Sequence, residues 1–81
     1  MKYRIEIEPL AGRYIVALKD PDSGELKKTL ALNRTAGEML KLHLEGHDIP
    51  SIAEILSERY RVPSNRIVVD AKTLLSSLTD S

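Results

Sequence analysis

The chain has 81 residues and no cysteine. A disulfide framework, a thiolate nucleophile and a cysteine-ligated zinc are therefore excluded, and nothing marks the chain for secretion. Glycine is scarce at four residues, and none of the four makes a glycine-rich loop after a strand, so a phosphate cradle of that kind is absent. An excess of either charge is missing as well. Twelve Lys plus Arg balance twelve Asp plus Glu, which leaves no global field to draw in nucleic acid phosphate or an anionic membrane. Any partner is recognised locally. Long apolar runs are also lacking: the opening MKYRIEIEPL alternates charge with bulk, unlike a signal peptide or a transmembrane span. The expectation is a cytoplasmic protein with no membrane partner, in which the sequon Asn33-Arg34-Thr35 goes unglycosylated.

A chain of this length makes one small domain, residues 1–81, and buries only about 60–65% of the surface that its unfolded form exposes. A shallow groove is a more natural site than a deep catalytic cavity. Strands are expected over about 3–8, 13–19 and 25–32, and helices over about 34–45, 49–60 and 65–78. Tyr3, Ile5 and Ile7 alternate with charged residues, and after a turn at Pro9 to Gly12 the same period returns in Tyr14, Val16 and Leu18. Asp20-Pro21-Asp22-Ser23-Gly24 is a second turn. The third strand has Leu26, Leu30 and Leu32 on one face and Lys27, Thr29 and Ala31 on the other. Connections this short imply an antiparallel meander.

At Asn33 the hydrophobic period changes to 3.6. Asn33 or Thr35 can cap the first helix, and Thr35-Ala36-Gly37-Glu38 fits a capping box in which Glu38 reaches back to the Thr35 amide. Its apolar face reads Ala36, Met39, Leu40, His43 and Leu44, with Gly46 as the stop. The second helix has Asp48 as N-cap and turns Ile49, Ile52, Leu56 and Tyr60 inward. The third carries a broad stripe, Ile67, Ala71, Leu74 and Leu78 in one row and Val68 and Leu75 in a second. One row faces the core, and the other either widens that contact or flanks a groove. The third strand is last in its meander and has a free edge, on which Lys27 and Lys28 either guard against aggregation or receive a partner strand. A homodimer through that edge is also open.

Tests for chemistry are mostly negative. His43 and His47 have i, i+4 spacing, but Gly46 interrupts the helix between them and no third ligand is evident, so no metal is expected. No G-x-S-x-G elbow presents a serine, and neither catalytic residues nor a cofactor are expected. A winged-helix DNA-binding regulator is the alternative reading, with helices two and three joined by Arg61 to Asn65. Its recognition helix would open on Ser64-Asn65-Arg66-Ile67-Val68-Val69-Asp70, one cation and one carboxylate, against the several phosphate contacts such modules make. Arg59, Arg61 and Arg66 form only a modest basic cluster, read as a solvated rim.

The order of motifs resembles the PqqD family. Leu32-Asn33-Arg34-Thr35-Ala36 opens a helix, a glycine ends it, and the span Asp48 to Val62 follows the pattern D-I-x-x-I-x-x-x-L-x-x-x-Y-x-V. A helix with Asp70-Ala71 and Leu74-Leu75-Leu78 comes last. The resemblance covers about residues 13–79. It implies an α+β, winged helix-turn-helix-like fold, a three-stranded antiparallel sheet followed by three helices. It also implies a recognition element that binds the leader of a ribosomally made precursor peptide and presents it to a modifying enzyme, a radical SAM enzyme in the PQQ case. The leader would add as a strand beside the third strand and lie against the third helix. Carried over by position, the strand side is Lys27, Lys28, Thr29, Leu30 and Ala31, and the helix side is Val68, Ala71, Lys72 and Leu75.

Overall fold

The computed structural model describes residues 3–79. Its elements are β1 (Arg4–Leu10), β2 (Arg13–Lys19), β3 (Leu26–Leu32), α1 (Arg34–Leu44), α2 (Ile49–Tyr60) and α3 (Ser64–Thr79), the expected order of three strands and three helices. The chain divides into two compact units, Met1–Gly37 and Glu38–Ser81.

The first unit is an antiparallel sheet in the order β1-β2-β3. β1 runs through Pro9 to Leu10, further than expected, so the connection to β2 is only Ala11-Gly12. Both residues have positive φ, 53° and 79°, as a two-residue type I′ hairpin turn requires. The turn from β2 to β3 is tied by Asp20, whose Oδ1 accepts the amides of Asp22 at 2.8 Å and Ser23 at 3.0 Å. Those donors, Ser23 first, hold the Asp20 carboxyl below its ordinary range. Leu18 pairs with Lys28 but Lys19 pairs with Leu26, so Lys27 is the extra residue of a β-bulge. The bulge reverses the alternation before it, and Leu26 does not share a face with Leu30 and Leu32 as expected. It sits opposite Lys19 and is 54% exposed. Val16 and Leu18 are buried.

The unit ends in the first turn of α1. Asn33 is the N-cap, its Oδ1 accepting the Ala36 amide at 2.8 Å. The helix then begins at Arg34, which leaves Glu38 too far along for the expected capping box. Gly37 is buried beside Tyr14 of β2.

In the second unit the Glu38 carboxylate bonds the Arg59 guanidinium and accepts the Tyr60 hydroxyl at 2.6 Å. α1 ends in a Schellman turn: His47 donates to the Leu42 carbonyl and Gly46, at φ 101°, to that of His43. The inward face of α1 keeps Met39 and Leu40, both buried as expected, and departs from the expected face at its C-terminal end. Met39 is buried and Leu42 packs beside it against the core, while His43 is exposed and Leu44 is 47% exposed. Leu42 lies three residues from Met39 and so one turn along the same row. α2 starts as expected, with the Ser51 amide donating to Asp48 Oδ1 at 2.9 Å. The core joins Met39, Ile52, Ala53, Leu56, Ile67 and Ala71, with Ile49, Tyr60, Val62, Val68 and Leu74 packed around it.

Candidate functional site

The candidate site is the free edge of β3, whose available groups follow from the hairpin geometry. A two-residue turn makes Leu10 and Arg13 a hydrogen-bonded pair, and antiparallel ladders alternate thereafter. Arg13, Ile15, Ala17 and Lys19 therefore direct their peptide groups to β1, and Tyr14, Val16 and Leu18 direct theirs to β3. The amide of Asp20 donating to the Glu25 carbonyl at 2.8 Å continues the same alternation. The partners Lys28, Leu30 and Leu32 face β2, so the N–H and C=O of Thr29 and Ala31 point outward from the sheet. The same count for β1 leaves Ile5, Ile7 and Pro9 outward. Pro9 has no N–H to offer, which blunts that edge. β3 is the better receptor for an added strand.

Side chains on this edge are accessible. Lys27, Lys28, Thr29 and Ala31 are exposed and Leu30 is half-buried, facing the side of the sheet that carries Val16. Lys27 Nζ lies 3.3 Å from Glu25 Oε1, so its charge is partly satisfied within its own strand end. Lys28 has no carboxylate partner among the described residues.

The four predicted residues of α3 divide differently. Lys72 is exposed, and Val68 and Leu75 are half-buried. Ala71 is fully buried, at 0% exposure, within the cluster of Met39, Ile52, Ala53, Leu56 and Ile67. It is a core residue and not a contact surface. Val68 lines a shallow hollow of about 620 Å³ between α2 and α3, together with Glu54, Glu58 and Asn65. That hollow bears carboxylates where a phosphate-binding face would bear cations. Arg59, a member of the expected basic cluster, is taken up by Glu38, leaving Arg61 and Arg66. Among the described residues no group of three His, Cys, Asp or Glu is placed to hold a metal ion, and no helix is long and apolar enough to cross a membrane.

Sequence reasoning named the strand but not its outward residues, because parity depends on the hairpin's loop length. It also passed over Arg13 and Arg34, which line a hollow of about 410 Å³ at the β1–β2 hairpin tip.

A family model described as Coenzyme PQQ synthesis protein D (PqqD) matches residues 16–81. No curated protein matches the chain. Among solved structures the chain is similar to one described as TbiB1 in complex with the TbiA(beta) leader peptide, with a TM-score of 0.72 over 99% of this chain and 90% of that one. Sequence identity there is 16%, a likeness of fold.

Proposed function

The chain belongs to the PqqD family, and from that premise we propose that it is a peptide-binding adaptor in the modification of a ribosomally made precursor peptide. It acts by binding, holding the leader as an added strand on β3 for a modifying enzyme, of the radical SAM class in the PQQ-type case. The observation that carries this reading is the outward pair of peptide groups at Thr29 and Ala31 on an edge free of proline. An extended peptide gains main-chain hydrogen bonds from such an edge, and its alternate side chains fall on opposite faces. The solved structure that shares the fold was determined with a leader peptide, which supports the same use here. On α3, Val68, Lys72 and Leu75 are the proposed side-chain contacts, with Ala71 behind them as support.

An NMR titration of the labelled protein tests this, using leader regions of small peptides encoded beside its gene and a short DNA duplex as control. Shifts confined to Lys27–Ala31 and Val68–Leu75 on adding peptide are expected. Peptides that leave the Thr29 and Ala31 amides unmoved reject the added-strand mode, and shifts at Ser64–Asp70 with DNA alone favour a regulator. Leu75→Asp separates the α3 contribution: weakened binding with the fold retained supports it, and unfolding places Leu75 in the core.

A further inference from the structure

β2 and β3 share a charge pattern that their pairing brings into line. In β2 the neutral stretch Tyr14–Leu18 lies between Arg13 and Lys19, and in the β3 region the neutral stretch Thr29–Asn33 lies between Lys28 and Arg34. The antiparallel register sets Leu18 against Lys28 and Tyr14 against Leu32. Cations therefore collect at the two ends of a neutral middle, Lys19, Lys27 and Lys28 at one and Arg13 and Arg34 at the other. Some of this charge is spent internally. Lys19 pairs with Glu6 at 3.0 Å and Lys27 with Glu25 at 3.3 Å. Lys28 and Arg13 have no carboxylate partner among the described residues. Arg13 and Arg34 line the same hairpin-tip hollow with Pro9, Leu10 and Tyr14, and no carboxylate lines it.

Resting on the added-strand reading, we infer that the segment taken by β3 is an extended stretch of about five neutral residues with a carboxylate side chain at each end. Lys28 to Leu32 spans about 13 Å at the rise of a strand, and Arg34 follows two residues on in the first turn of α1, which sets the spacing of the two acids at about five to seven residues. Apolar or β-branched residues fit the middle, since Thr29 and Ala31 offer small neutral neighbours beside the half-buried Leu30. The two ends differ in strength. Guanidinium groups take a carboxylate through two parallel hydrogen bonds and an ammonium as a point charge, so the arginine end discriminates more sharply.

A random dodecapeptide display selection tests the pattern, run against the wild-type protein and against a Lys28→Glu, Arg34→Glu double variant. Both positions are exposed, and a glutamate in the first turn of α1 favours the helix dipole. A milder Lys28→Gln, Arg34→Gln pair guards against loss of fold, which circular dichroism checks. The expected peptides carry Asp or Glu at two positions with that spacing, and synthetic copies shift the Thr29 and Ala31 amides. Charge reversal then weakens them by about tenfold, and added salt weakens wild-type binding. The double variant instead enriches Lys or Arg at the same two positions. Peptides that shift those amides yet show less than about a twofold response to charge reversal overturn the bracket and leave the added-strand reading standing. Acid-rich peptides with no fixed spacing also overturn it. Peptides that leave Thr29 and Ala31 unmoved, or no enrichment at all, reject the added strand and this inference with it.

Discussion

Gly37 and Tyr14 are in a contact that leaves no room for a side chain on the glycine. A Cβ placed on Gly37 would lie 2.0 Å from Tyr14 Cδ2, 2.4 Å from its Cγ and 2.8 Å from its Cβ. The ring's far end could swing away, but its Cβ is fixed to β2. A glycine inside a helix costs about 1 kcal/mol relative to alanine, and here that cost makes room for the Tyr14 ring at Gly37. Gly37→Ala is expected to lower stability by about 2–4 kcal/mol despite alanine's better helix propensity. Urea unfolding measures the loss, and Tyr14→Ala in the same chain should recover part of it.

The Glu38 carboxylate joins α1 to the end of α2 through Arg59 and Tyr60. Tyr60→Phe is expected to cost about 1 kcal/mol, and Glu38→Ala more, because it leaves the partly buried hydroxyl without its acceptor. The double variant should lose less than the sum. A double-mutant cycle by chemical denaturation measures that coupling, and strict additivity would show that the contact is energetically idle.

On β3 the alternation of outward and inward peptide groups separates two neighbouring prolines. Ala31→Pro removes an N–H that no strand of the sheet uses, so peptide binding should fall by about tenfold or more while the protein stays folded. Leu30→Pro removes an N–H that faces β2 and should cost about 3 kcal/mol or more. Thermal unfolding and peptide titration of both variants read the contrast.

The carboxyls of Asp20, Asp48 and Glu6 are held below their ordinary values, Asp20 chiefly by the Ser23 amide, Asp48 by the Ser51 amide and Glu6 by its hydrogen bond with Lys19. A depressed folded pKa adds stability that is complete above the unfolded value, about 4, and is lost as pH falls through the lower folded value. The Tm is expected to be level above about pH 5 and to fall below about pH 4. Asp48→Asn keeps the cap acceptor and removes its titration, so its Tm should fall less steeply over the acid range.

Much of the fold was legible because its signals are local. Strand and helix periods, the Asp48 cap and the Gly46 stop each depend on residues within one or two turns of one another. The errors arose where a distant partner competed. Thr35-Ala36-Gly37-Glu38 has the form of a capping box, yet Glu38 is held by residues 21 and 22 positions later, and Asn33 caps the helix alone. The strand side of the candidate site was legible as a last strand with lysines. On α3 the two rows of the stripe already set Ala71 apart from Leu75, and packing decided that the row with Ala71 is the one in the core.

By itself the sequence determined the order of three strands and three helices, their approximate ends and the absence of cysteine chemistry, since all of these rest on composition and short-range periodicity. Tertiary structure decided what each element does with its faces. The two-residue hairpin sets which peptide groups of β3 turn outward, and the bulge at Lys27 turns Leu26 to the other side. Packing buries Ala71 while leaving Leu75 half-exposed, and the approach of Tyr14 makes Gly37 indispensable. Such outcomes depend on pairings between residues far apart in the chain, where one neighbour excludes another by volume or takes its hydrogen bond.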